Sequence, residues 1–157
     1  MRRHSIVVFT VVIFTLAFSA VALAADPFVG TWKMNVAKSK VNPPPIAKSV
    51  TMKVMPKSDG FTWITDLVPN DGQALHMEWS GKFDGKDYPA TGDPNADTYA
   101  LKKIDPNTIV EVDKKAGKEV GNWRLVISKD GKTQTQTGKY KDEKGQEFTV
   151  TAVLEKQ

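Results

Sequence analysis

The chain has 157 residues, enough for one domain with a substantial core, and contains no cysteine, which excludes disulfides and thiolate metal sites. Its formal charge of +4 includes Arg2 and Arg3 at the extreme N-terminus. The remaining charge is interspersed, basic across "KSKVNPPPIAK" and acidic across "DGKDYPATGDPNAD", with no basic stripe of the kind nucleic acid requires.

The first element is an address. Arg2 and Arg3 precede an apolar run from Ile6 to Ala22, which leads into Ala22-Leu23-Ala24. Positive charge, apolar stretch and small-x-small in that order read as a secretory signal peptide at 1–24, cleaved after Ala24. The run is about 17 residues, the short limit for spanning a bilayer, and the cleavage pattern follows at once. The expectation is an exported soluble domain at 25–157, periplasmic or extracellular, with no membrane span after cleavage.

From Asp26 onward turn signals recur at near-regular intervals. They are Asp59-Gly60, Asp71-Gly72, Asp84-Gly85, Pro94-Asn95, Asp105-Pro106-Asn107, Ala116-Gly117, Asp130-Gly131 and Lys144-Gly145. Asp-Gly is a strong hairpin signal because glycine takes positive φ at no steric cost. Between the turns, apolar residues alternate with period two, the mark of half-buried strands. Trp32, Met34 and Val36 share a face in 28–36, as do Val50, Met52 and Val54 in 49–55. Leu75, Met77 and Trp79 share a face in 73–80, with His76 and Glu78 opposite. Further runs lie at 60–66, 97–104, 108–113, 119–128, 133–140 and 146–156. One helical turn fits near Val36–Ser39, ended by Pro43-Pro44-Pro45, which lacks amide donors and reads as a loop. The predicted fold is all-β: an antiparallel up-and-down barrel of about eight or nine strands, since closure removes the raw edges of an open sheet.

The stretch Phe28-Val29-Gly30-Thr31-Trp32 resembles the first-strand signature of the lipocalins and their relatives. The blocks "GTWKMNVAKSK", "GKFDGKDYPATGDPNADT" and "SKDGKTQTQT" look like those of small secreted bacterial lipocalin-like proteins, mostly uncharacterised. The resemblance covers about Phe28 to the C-terminus. It implies that Trp32 plugs the closed end of the barrel, that Gly30 lets an N-terminal turn pass beneath it, and that a basic side chain from a late strand covers the indole. Arg124 and Lys156 both stand open for that cover, and Arg124 joins Gly30 and Trp32 as the expected closure set.

Candidate chemistry is sparse. His76 alternates opposite an apolar face and is expected at the surface, with no partner apparent from the sequence. No Gly-x-Ser-x-Gly elbow or two-histidine metal spacing occurs, so no catalytic residue is assigned and an enzyme is not expected. Asp93-Pro94-Asn95-Ala96-Asp97 places oxygens at alternate positions but puts Thr98 and Ile104 where a calcium loop needs glycine and glutamate. It reads as an Asx-rich turn, and neither metal nor cofactor is expected. Residues 84–97 form a long connection whose flanking Tyr88 and Tyr99 either line a mouth or simply pack.

A barrel interior is either filled with side chains or holds a small ligand. Phe61, Trp63, Met77, Trp79, Tyr99 and Trp123 are the candidate ligand-contacting residues. Thr133-Gln134-Thr135-Gln136-Thr137 has no aliphatic face, so in a closed sheet it turns either threonines or glutamines inward; the alternative is an edge strand open to water. The leading expectation is a non-catalytic, monomeric barrel that binds a small, partly apolar molecule. A cell-envelope interaction module with a filled core is the alternative, and a small barrel enzyme, marked by a buried titratable cluster, the third. An outer-membrane barrel is excluded by Lys33, Lys53, Lys102 and Glu111, which interrupt any lipid-facing band.

Overall fold

A computed structural model describes residues 26–157. The expected signal peptide at 1–24 lies outside the described residues. Among the described residues no helix is long and apolar enough to cross a membrane.

Eleven strands form one antiparallel sheet: β1 Gly30–Met34, β2 Lys40–Asn42, β3 Ser49–Lys57, β4 Gly60–Val68, β5 Leu75–Gly81, β6 Tyr88–Thr91, β7 Thr98–Asp105, β8 Thr108–Lys115, β9 Lys118–Ile127, β10 Thr133–Lys141 and β11 Glu147–Lys156. A single 3-10 turn, Val36–Lys38, separates β1 from β2 and is capped by Asn35, whose side chain accepts from the Lys38 amide. Strands β3 to β11 follow one another as a meander, and β1 pairs with both β3 and β11. Trp32 opposes Lys156 and Met34 opposes Leu154, so the sheet closes on itself as ten strands. β2 adds to the other end of β11, where Asn42 opposes Thr149 and Lys40 opposes Thr151.

The all-β, closed, up-and-down architecture is as expected, but the count of eight or nine strands is too low. Two short elements account for the difference. β2 has three residues wedged between a 3-10 turn and Pro43, too few to display alternation. β6 has four and contains Pro89, which lacks an amide donor and makes the segment read as loop. Its ladders are correspondingly short, two residue pairs to β5 and two to β7. The long connection expected at 84–97 is therefore two connections separated by a strand.

The hairpin dipeptides sit where turn chemistry puts them. Ser58-Asp59 joins β3 to β4, with Gly60 opening β4, while Ala116-Gly117 joins β8 to β9, and both residues of the latter have positive φ (49° and 75°). That geometry matches the right-handed twist of the flanking strands.

The N-terminal end of β1 defines the closed end of the barrel. Trp32 is fully buried and its indole N–H donates to the Phe28 carbonyl at 2.9 Å. Phe83, from the 82–87 connection, stacks on Phe61 with ring centroids 4.2 Å apart and lies parallel to Trp79 at 6.1 Å. Lys103 pairs with Asp26 and lies 5.6 Å from the Phe28 and Phe83 ring centroids. The core thus begins as an aromatic floor and continues upward through Val54, Met52, Leu125 and Leu154.

Candidate functional site

Above this floor the interior is not filled. A cavity of about 410 Å³ runs from Trp63 and Trp79 up to the opposite end. Its rim comes from Pro45, Ile46 and Ala47 of the proline-rich segment, Pro69 beyond β4, and Asp93, Asn95 and Ala96 of the loop between β6 and β7. The triple-proline segment and the acidic loop, separate in sequence, meet there as the two sides of one mouth.

Of the six residues expected to contact ligand, Trp63, Met77, Trp79, Tyr99 and Trp123 line this cavity. Phe61 does not: it stacks on Phe83 in the floor, below the open space. Tyr99 belongs to the mouth, where its hydroxyl donates to Asp93 Oδ2 at 2.6 Å. Tyr88 lies away from the cavity, its hydroxyl on Asp84 and its ring edge-on to Trp79.

At the closed end the tryptophan cover is Lys156, with its ammonium 5.0 Å from the Trp32 ring centroid. Arg124 is exposed on the outer face of β9, because the adjacent Trp123 takes the inward position and side chains alternate along a strand. Gly30 has φ of +138°, and a Cβ there would stand 2.7 Å from Lys156 Cε. The glycine of Gly-x-Trp thus serves both a backbone conformation other residues rarely adopt and the passage of the lysine stem to the indole.

The polar wall of the cavity is a part the sequence did not reveal, and Glu111, expected among the charges on the outer face, turns inward to it. Along β8 the inward positions are Ile109, Glu111 and Asp113. Asp113 is only 7% exposed. Its Oδ2 accepts from the Trp123 indole N–H at 2.6 Å, while no N–H or O–H of fixed polarity reaches its Oδ1. The neighbouring inward carboxyl, Glu111, can serve as a donor to Asp113 only while protonated. Burial, reinforced by the charges of Asp113 and Asp93, pushes the Glu111 carboxyl well above the usual carboxylate range. Burial also raises Asp113, to about 6, against the opposing pull of its bonds to Glu111 and Trp123. Tyr99 is driven far above the ordinary phenol range by burial, with Asp93 adding to it.

Space for Asp113 is made by Gly121, its cross-strand partner: a Cβ at that position would lie 2.6 Å from Asp113 Oδ2. Deeper in, β10 turns its glutamines inward and lies between β9 and β11, not at an edge. Gln136 lines the cavity and donates to Gln134 Oε1 at 2.8 Å and toward Met52 Sδ at 3.2 Å. Gln134 is fully buried and its own Nε2 has no acceptor.

The other candidates resolve locally. His76 is exposed on the outer face and meets Asp66 Oδ1 at 2.6 Å, a partner supplied by the neighbouring strand β4. Asp93 Oδ1 accepts from the Asn95 amide, and Asp97 Oδ2 from the Ala116 amide, so the Asx-rich segment forms a turn. Among the described residues no three His, Cys, Asp or Glu side chains converge as a metal site needs.

No family model matches the sequence, and no curated protein matches it. Among solved structures the chain is similar to zebrafish ileal bile acid-binding protein in complex with cholic acid. The identity is 11%, the match covers 83% of this chain and 98% of that one, and the TM-score is 0.46. At that level the likeness is one of outline, and no residue's role passes from one chain to the other.

Proposed function

We propose that the chain is a non-catalytic binding barrel that holds a small, partly apolar molecule in its interior. The observation that carries this reading is the cavity of about 410 Å³, within the usual range for small-molecule sites, walled by aromatic and aliphatic side chains with a few polar groups among them. A filled core, the requirement of a purely structural module, would close that space with the same side chains. The Gly-x-Trp closure and the three sequence blocks support placing it with secreted lipocalin-like proteins. The leader-like N-terminus supports export, with the domain acting as a monomer outside the cytoplasm.

Native mass spectrometry on protein isolated from its own compartment tests this reading, followed by denaturation and extraction. The expected result is a stoichiometric small molecule released on unfolding and a polypeptide mass that begins at Ala25. An empty protein whose tryptophan fluorescence is unmoved by fatty acids, quinones, tetrapyrroles and long-chain amines would overturn it.

The buried carboxyl pair favours a second reading, a small acid–base enzyme, because perturbed titrating groups gather at catalytic sites. Turnover of the extracted molecule, lost in Asp113→Asn, would decide for it.

A further inference from the structure

The acidic wall specifies more than a pocket. Apolar barrels that take anionic amphiphiles need a cation inside, and here the charges acting on Glu111 are those of Asp113 and Asp93. β7 contributes Tyr99 to this wall, and β9 contributes Trp123, with Glu119 acting on Asp113 from the same strand. The remaining charged residues lining the cavity are Glu78, exposed on β5, and Lys141, exposed at the mouth end of β10. Asp113 and Glu111 both line this space, and Asp113 Oδ1 is buried at its wall with no fixed donor. The Trp123 ring lies 6.0 Å from that of Tyr140, nearly parallel at 18°, and both line the cavity. Aromatic faces beside carboxylates form an environment in which an ammonium gains ion-pair, hydrogen-bond and cation–π contacts together. A divalent cation fits less well, because Asp93 already has both oxygens engaged, by Asn95 and Tyr99.

We propose that the cavity selects an amphiphilic amine, with its protonated nitrogen held by Asp113 and Glu111 beside Trp123 and its apolar body directed toward Met77, Trp63 and Trp79. This rests on the reading of the barrel as a small-molecule carrier and names the chemical class of its cargo. Binding has a proton signature. An ammonium arriving between the carboxyls favours the ionised form of both, so protons carried by the pair leave to the buffer while the amine keeps its own. A carboxylate of the same length would have to enter as the acid and take a proton up.

Isothermal titration of the whole domain with decylamine and decanoate below their micellar concentrations and decanol below its solubility tests this at about pH 6, where Asp113 is partly protonated, in buffers of different ionisation enthalpy. The expected result is decylamine binding at least ~10-fold more tightly than decanoate, with proton release on binding decylamine and none on binding decanol. Glu111→Gln and Asp113→Asn should each remove the amine preference and the proton release while decanol still binds. Decanoate binding as tightly as decylamine, or decylamine binding with no proton release, overturns the amine assignment and leaves the carrier reading standing. Failure of all three probes to bind overturns both. The buffer series on the unmodified protein needs no variant, so a substitution that fails to fold does not rescue the proposal.

Discussion

Trp32 and Asp113 represent two opposite uses of burial. Trp32 is sealed on every side and its one polar atom is satisfied by Phe28, so its removal leaves both a cavity and a bare carbonyl. Trp32→Ala should lower stability by ~3–5 kcal/mol in urea denaturation; a loss below about 1 kcal/mol would mean that the closed end does not depend on it. Asp113 is buried at a cost. An unfolded aspartate ionises near pH 4, whereas Asp113 in the barrel does so at about 6. Between those values the unfolded chain binds fewer protons at this position than the folded one, so the contribution of Asp113 to stability falls as pH rises through that window. Glu111, also raised, continues the decline at higher pH. The exposed carboxylates Asp84, Asp105, Asp130 and Glu155 are shifted down and act the other way, losing their contribution only on further acidification. Unfolding free energies from urea denaturation at pH 4.5 and 7 should therefore differ less in Asp113→Asn than in the parent, by at most about 3 kcal/mol. An unchanged pH dependence would place the carboxyl in water.

At the level of the strand, β10 shows how polar residues shape the interior. Gln136 donates to Gln134, whose own amide nitrogen has nothing to donate to. Replacing Gln136 by Leu strips Gln134 of its one partner and should cost about 1–3 kcal/mol, while the double replacement of Gln134 and Gln136 by Leu should come out close to neutral. A double-mutant cycle read by thermal or urea unfolding checks this; strict additivity would show that the two amides are not coupled. β10 also marks the limit of what the sequence makes legible. Its lack of an aliphatic face leaves open which residues point inward, and only its register, which sets Gln134 and Gln136 beside the buried Ile127, Leu154, Leu125 and Ala152, settles that the glutamines do. On β8 the ambiguity misleads. Val110 and Val112 form the more apolar face, yet Ile109, Glu111 and Asp113 turn in, because register with β7 and β9 outranks the preference of individual side chains. The strands bounded by Gly-containing turns are legible for the opposite reason: each turn residue has a local cause, independent of partners. The acid pair has none, since it depends on Gly121 clearing space from the next strand and on Asp93 arriving from a distant loop.

For the molecule as a whole, everything turns on the seam between the first and last strands. Three residue pairs join β1 to β11, and without them ten strands would be an open sheet with two raw edges. Deleting 154–157 removes the partners of Met34, Lys33 and Trp32. The shortened chain should lose its cooperative unfolding transition and bind a hydrophobic dye; a sharp transition near the parent's would show that the seam is dispensable. The same seam fixes where the described ends of the chain lie. Gln157 donates its amide to Thr31, and Asp26 packs beneath the floor against Lys103. Both positions sit at the sealed pole, across the barrel from the rim of Ile46 and Asn95. A molecule immobilised through either residue would stand mouth outward, so captured barrels should keep the ligand capacity of free ones.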